Sequence, residues 1–245
     1  MSAAAGTALT ARRAAEAGML RVSELFGPTF QGEGPSAGQR ASFVRLGMCN
    51  LDCSWCDTPY TWDSGRFDLD AEMRWMSAAQ VWQETAATAA GLLVITGGEP
   101  LIQQAALVPL IGAAGQAGWR AEIETNGTIR PAAGLSRPFV RFNVSVKLGG
   151  SGVALARRVR PPVIEALASL DSVTWKFVVA GERDLEEIAG LQDRFGLAPV
   201  WVMPQATAAG QVLEGLRGLA GEALGRGWHL SPRLHILLWG DKRGR

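Results

Sequence analysis

Three cysteines, Cys49, Cys53 and Cys56, are all that the chain has, and they sit together in residues 47–58, GMCNLDCSWCDT. The spacing is C-x3-C-x2-C, so three thiolates within eight residues can converge on one metal centre without help from the rest of the fold. Soft thiolates select zinc, copper(I) or an iron–sulfur cluster. A structural zinc takes four protein ligands, usually from C-x2-C pairs far apart in sequence; here there is one triplet and no fourth cysteine. A three-cysteine zinc site would have to borrow His229 or His235, both remote in sequence. A [4Fe–4S] cluster on three cysteines instead leaves one iron without a protein ligand. An open iron can bind a cofactor or a substrate, which makes the arrangement catalytic rather than only structural.

The elements that must position this loop follow from periodicity. Residues 20–26 read as a short strand and 27–39, GPTFQGEGPSAGQ, as a loop rich in glycine and proline. Residues 40–46, RASFVRL, alternate apolar and polar and run straight into the cysteines, so they read as the first strand of the main sheet. Further strands are expected over 92–96, 120–125, 139–146, 173–179 and 200–203. Helices are expected between them over 77–90, 101–117, 162–169, 184–195 and 207–224, the first with Ser77 as N-cap and Gln80 three residues on. The tail, 228–240, holds both histidines. Strands alternating with helices imply right-handed βαβ units and a parallel sheet. About six parallel strands are fewer than a closed barrel needs, so the expected fold is α/β, an open partial (β/α) barrel with its chemistry at the C-terminal strand ends.

A chain of 245 residues, 47% hydrophobic, suits a single domain with a sizeable core over 19–245. Residues 1–18 are small and polar and read as a disordered extension, not a transit peptide, because they present no apolar face of useful width. The net charge of +1 gives no footprint for nucleic acid, and no apolar run approaches a membrane span. An odd, clustered set of cysteines argues against a disulfide framework and for a reducing, cytoplasmic setting.

With Trp55 before its last cysteine, the C-x3-C-x2-C motif resembles the signature of the radical S-adenosylmethionine enzymes. In that family the open iron holds the amino and carboxylate groups of S-adenosylmethionine, and one electron from the cluster yields a 5′-deoxyadenosyl radical. Gly97-Gly98-Glu99-Pro100, Glu124-Thr125-Asn126-Gly127, Ser145-Val146-Lys147 and Met203-Pro204-Gln205 follow expected strands and resemble that family's cofactor-binding segments. Outside that setting, GGEP and ETNG are ordinary turns and Lys147 a solvated charge. The resemblance implies cofactor contacts from Trp55, Asp57, Gly98, Glu99, Glu124, Ser145, Val146, Lys147, Met203, Pro204 and Gln205.

A more selective set surrounds the cysteines: Gln31-Gly32-Glu33-Gly34, Arg45, Cys56-Asp57-Thr58 and Trp62. Together these resemble the 7-carboxy-7-deazaguanine synthase family, which converts 6-carboxy-5,6,7,8-tetrahydropterin to 7-carboxy-7-deazaguanine with loss of ammonia, a step toward 7-deazapurines such as queuosine. The likeness is dense as far as Lys147 and thin beyond. It implies substrate contacts from Phe30, Gln31, Gly32, Glu33, Arg45, Thr96 and His235, with Thr58 as a ligand to Mg2+. The residue types suit the task. A carboxylate and an amide can meet the pterin's N–H donors, and Arg45 offers a bidentate fork to the substrate carboxylate. The alternative for Thr58 is a turn hydroxyl bonded to backbone, and for His229 a satisfied surface histidine. An electron donor such as flavodoxin or ferredoxin and a homodimer are further implications. The rival readings are a radical enzyme that activates a protein glycine, which has no need of Gln31, Glu33 and Thr58, and a non-enzymatic iron–sulfur or zinc module, which needs neither GGEP nor Ser145 and Lys147.

Overall fold

The computed structural model describes residues 18–245. All nine of its strands join one sheet in the order β3-β1-β2-β4-β5-β6-β7-β8-β9. These are β1 Met19–Phe30, β2 Arg40–Leu46, β3 Arg74–Ser77, β4 Leu92–Gly97, β5 Arg120–Thr125, β6 Val140–Val144, β7 Val173–Val179, β8 Val200–Pro204 and β9 His229–Leu230. From β2 to β9 every pairing is parallel, whereas β1 pairs antiparallel with both β2 and β3. The six expected parallel strands are β2 and β4–β8, and the sheet does not close.

Alternation along each strand explains how one sheet serves both stability and chemistry. Successive side chains point to opposite faces. In β7, Trp175, Phe177 and Val179 enter the main core, while Lys176 and Val178 face the cleft. In β5, Ala121 and Ile123 enter the core, while Glu122 and Glu124 take the other face. In β4 the outer residues are Leu93 and Ile95, and the inner series Leu92, Val94, Thr96 changes from apolar to polar on approaching the cleft. The helices lie over the apolar face; Leu107, Leu110, Ile111 and Ala114 of the helix Gln104–Gln116 and Ile188 of the helix Glu182–Phe195 are buried there.

The helix Ala78–Ala86 carries the expected capping box: Gln80 N donates to Ser77 Oγ (3.2 Å) and Ser77 N to Gln80 Oε1 (2.8 Å). Two expectations change. The loop expected from residue 27 begins only after Phe30, because the ladder passes from Phe26–Phe43 to Thr29–Ala41 and a bulge absorbs Gly27 and Pro28. The last parallel element, β9, has two residues and gives no periodicity to read. The disordered extension expected over 1–18 lies, apart from Gly18, outside the described residues. No helix among the described residues is long and apolar enough to cross a membrane.

Candidate active site

Residues from the C-terminal ends of β2 and β4–β8, the cysteine loop and the C-terminal tail line one cleft. The cysteine loop follows β2 directly. Its backbone is clasped by the segment after β4: Gly98 N donates to Leu46 O (3.0 Å) and Glu99 N to Met48 O (2.8 Å). A Cβ on Gly98 would lie 2.0 Å from Met48 O, so only glycine permits this approach. Glu99 itself is fully buried and accepts from Leu101 N (2.9 Å), Asn126 N (2.7 Å) and Thr125 Oγ1 (2.8 Å). It therefore ties the GGEP segment to the loop after β5. Burial raises its pKa, opposed by those three donors.

Cys49, Cys53 and Cys56 are unpaired, partly exposed and all line the cleft. Burial, the largest cause, pushes the Cys49 thiol up to about 11 and raises that of Cys53. Leu51 N–H donates to Cys49 Sγ (3.5 Å) and Trp62 Nε1–H to Cys56 Sγ (3.3 Å). Hydrogen bonds to the sulfurs are among the factors that set a cluster's potential. Among the described residues no three His, Cys, Asp or Glu side chains converge on a single ion. A zinc ion would draw its sulfurs to roughly 2.3 Å from one point, whereas a [4Fe–4S] cluster takes each cysteine on a different iron. Three thiols on one loop, with no fourth cysteine, fit a [4Fe–4S] cluster with one iron left open.

The rest of the cleft is a charged floor. Lys176 Nζ lies 2.8 Å from Glu33 Oε2 and 3.0 Å from Glu124 Oε1. Glu33 also meets Arg233 Nε (3.1 Å), and Arg233 Nη2 reaches Asp57 Oδ2 (2.9 Å) beside Cys56. Thr96 Oγ1 donates to Glu124 Oε2 (2.6 Å), and Gln31 Nε2 spans Glu122 (3.3 Å) and Glu124 (3.5 Å). Burial pushes the Glu33 carboxyl upward, but the Lys176 and Arg233 cations outweigh it and hold it far below the usual range. Burial lowers the Lys176 pKa, and its two carboxylates more than reverse that. His235 is held below its ordinary value chiefly by burial. It stands on the short helix Leu234–Trp239 against Gly32, where a Cβ would come within 2.1 Å of Nδ1.

At the cleft mouth Arg45 gives Nε to Glu24 Oε2 (2.6 Å), and its two Nη groups make no hydrogen bond with the described residues. Glu24 also accepts from Tyr60 OH (3.0 Å) and Arg243 Nε (3.1 Å), and Arg243 lies over the Tyr60 ring (3.7 Å). Among the described residues the Thr58 hydroxyl bonds to no backbone group, and its one hydrogen-bond partner is Cys56 Sγ at 3.8 Å. Lys147 Nζ donates to Ser145 Oγ (3.1 Å) and sits over the Trp55 ring (5.7 Å).

The 4Fe-4S single cluster domain model matches residues 30–129. A 7-carboxy-7-deazaguanine synthase from Pyrobaculum aerophilum is 36% identical over 92% of this chain and 97% of its own. One from Hyperthermus butylicus is 32% identical over 90% and 93%. The crystal structure of QueE from Escherichia coli superposes with a TM-score of 0.68 at 26% identity, over 90% of this chain and 96% of that one. The chain belongs to the 7-carboxy-7-deazaguanine synthase family. SuiB of Streptococcus suis bound to S-adenosylmethionine, at 12% identity and a TM-score of 0.50, covers 75% of this chain and 44% of its own and shows a shared fold only.

Of the residues that the family resemblance singles out, the cleft gathers Phe30, Gln31, Gly32, Glu33, Arg45, Trp55, Asp57, Thr58, Thr96, Gly98, Glu124, Ser145, Lys147, Met203, Gln205 and His235 with the three cysteines. Three expected cofactor contacts do not line it. Glu99 is consumed by loop bonds, Val146 belongs to the main core, and Pro204 packs against the helix Ala209–Gly225, where a Cβ on Gly215 would meet it at 2.4 Å. Glu124, expected at the cofactor, joins Glu33 and Gln31 on the charged floor. His229 stacks on Trp201 (4.7 Å) away from the cleft. Sequence reasoning passed over Lys176, Arg233, Glu24, Tyr60 and Arg243. A visible signal existed for Lys176: a lysine at an inward position of the strand VTWKFVV, apolar apart from it and Thr174.

Proposed function

We propose that the chain converts 6-carboxy-5,6,7,8-tetrahydropterin to 7-carboxy-7-deazaguanine and ammonia in this cleft, with its residues in the following roles. The observation that carries the reading is that the three cysteines and the Glu33–Lys176–Glu124 floor line the same cleft. Cys49, Cys53 and Cys56 hold the [4Fe–4S] cluster. Ser145, Lys147, Met203 and Gln205, from neighbouring strand ends, border S-adenosylmethionine. When bound, these two groups supply the radical that takes hydrogen from C6 of the pterin and return it at the end.

The chain's own part is to bind, orient and exclude water. Glu33 and Glu124, kept beside cations, accept from the pterin's N–H groups together with Gln31. A neutral His235 offers a further partner without adding charge. The unspent Nη fork of Arg45 takes the substrate carboxylate, and Glu24 on Nε fixes the plane of the guanidinium. Magnesium keeps most of its waters and needs few protein ligands. The Thr58 hydroxyl, free of backbone and beside Cys56, suits it as the single protein oxygen, with the substrate carboxylate supplying others. An electron donor such as flavodoxin or ferredoxin, a homodimer and a reducing cytoplasmic setting complete the reading.

The test is anaerobic reconstitution with iron and sulfide, then incubation with S-adenosylmethionine, reductant, Mg2+ and the pterin. Formation of 7-carboxy-7-deazaguanine with one ammonia per product supports the reading; cofactor cleavage that ignores the pterin and yields no deazaguanine rejects it.

A further inference from the structure

The cluster must be reduced by one electron before the chemistry can begin, and no group in the chain can supply it. Two segments brace the loop. On one side Arg157 Nη1 pairs with Asp52 Oδ1 (2.8 Å), Arg157 Nη2 donates to Asn50 O (3.0 Å), and Trp55 Nε1–H donates to Gly150 O (3.0 Å). On the other, Asn50 Nδ2 donates to Thr128 Oγ1 (2.7 Å) and Asn126 Nδ2 to Asn50 Oδ1 (2.9 Å). The bracing segments present exposed Arg130, Arg157 and Arg160, and Arg130 Nη2 reaches across to Pro162 O (3.3 Å). Leu155, 62% exposed, opens the short helix Leu155–Arg158 that carries Arg157. The chain from Asn126 to Val163 contains no aspartate or glutamate, although the protein as a whole is close to neutral. Arg158, by contrast, is buried and paired with Glu187, so it belongs to the fold.

We propose that this basic rim around an exposed leucine is the docking face for an acidic one-electron carrier protein. The proposal rests on the functional reading above. The carrier's reduced centre gives up one electron and the cluster gains one; no proton or group is transferred at the rim. Charge complementarity selects the partner and speeds encounter. Leu155 gives the contact a small apolar centre inside a polar ring. Arg157 has a second duty in holding Asp52 and Asn50, so Arg130, Arg160 and Leu155 are the residues to change.

The experiment uses the cluster-loaded protein and reads reduction of the cluster by its visible absorbance in stopped flow. One arm uses an acidic flavodoxin in its fully reduced form, the other dithionite. For the variant Leu155→Ser/Arg130→Glu/Arg160→Glu, reduction by flavodoxin is expected to slow about tenfold or more, with the dithionite rate unchanged. The wild-type rate falls as salt is raised and the variant's does not, while Arg130→Lys/Arg160→Lys stays near wild type. Equal flavodoxin rates in wild type and the triple variant, or a wild-type rate indifferent to salt, overturn the docking face while leaving the functional reading intact. A wild-type protein that takes up no cluster overturns both.

Discussion

Arg45 shows how one side chain is divided between structure and function. Its Nε is fixed by Glu24, itself held by Tyr60 and Arg243, and only the Nη fork is left for a ligand. Lysine keeps the charge and loses both the fork and the Nε anchor. Arg45→Lys is expected to weaken substrate binding by about 1–3 kcal/mol, measured as the substrate Kd of the cluster-loaded protein; an unchanged Kd would place the carboxylate elsewhere. Lys176 is the counterpart on the floor. The native Glu33 pKa is depressed, so its ionised form is favoured at every pH above the usual carboxylate value and is lost only as pH falls through the native pKa. Lys176→Met removes the cation nearest Glu33 and leaves Arg233 and His235, with Glu124 now an unscreened neighbour. The Glu33 carboxyl pKa rises, so as pH is lowered the variant loses pterin affinity at a higher pH than wild type does. Breaking this buried pair also destabilises the fold by about 3–5 kcal/mol at the alkaline end. A merely structural lysine would give the stability loss with no new pH limb in binding. For Thr58, valine keeps the shape and removes the oxygen. Thr58→Val is expected to load cluster normally and to shift the magnesium dependence of the initial rate to higher concentration; an unchanged magnesium curve would make Thr58 a bystander.

The GGEP segment, as an element, does more than its motif suggests. It hydrogen-bonds the cysteine loop through Gly98 N and Glu99 N, and Glu99 spends its side chain on the loop after β5. Gly98→Ala would set a methyl 2.0 Å from Met48 O and push the two loops apart. Overpacking of this kind costs about 1–3 kcal/mol. The expected result is a lower melting temperature and reduced iron retention after gel filtration; full iron content at wild-type stability would contradict the clasp. The parallel strands were legible because each presents a short apolar run ending in a polar or glycine-rich turn. β1 was legible only to Phe26, because the bulge at Gly27–Pro28 looks locally like the start of a loop. β3, with four residues, and β9, with two, are too short to show a period.

At the scale of the whole molecule, the cleft joins residues far apart in sequence. Glu33 and Arg233 are separated by 200 positions and Glu33 and Lys176 by 143. Motifs recover what is local: the cysteines, GGEP and the Gln31–Glu33 segment. The cations beside Glu33 and Glu124 have no motif, because their partners are chosen by the curl of the sheet and the return of the C-terminal tail. The period-2 split between an apolar outer face and a polar inner one is the signal that remains. It marks Glu122, Glu124 and Lys176, since a parallel strand covered on both faces is ordinarily apolar throughout. In the proposed function this cleft holds C6 of the pterin next to the 5′ carbon of S-adenosylmethionine, and the hydrogen taken there goes back at the end. A turnover with the pterin deuterated at C6, in ordinary water, tests that placement when the recovered S-adenosylmethionine and any 5′-deoxyadenosine are analysed by mass. Deuterium is expected in the adenosyl group, rising with the amount of product formed. Product formed with no deuterium in either adenosyl species would contradict it.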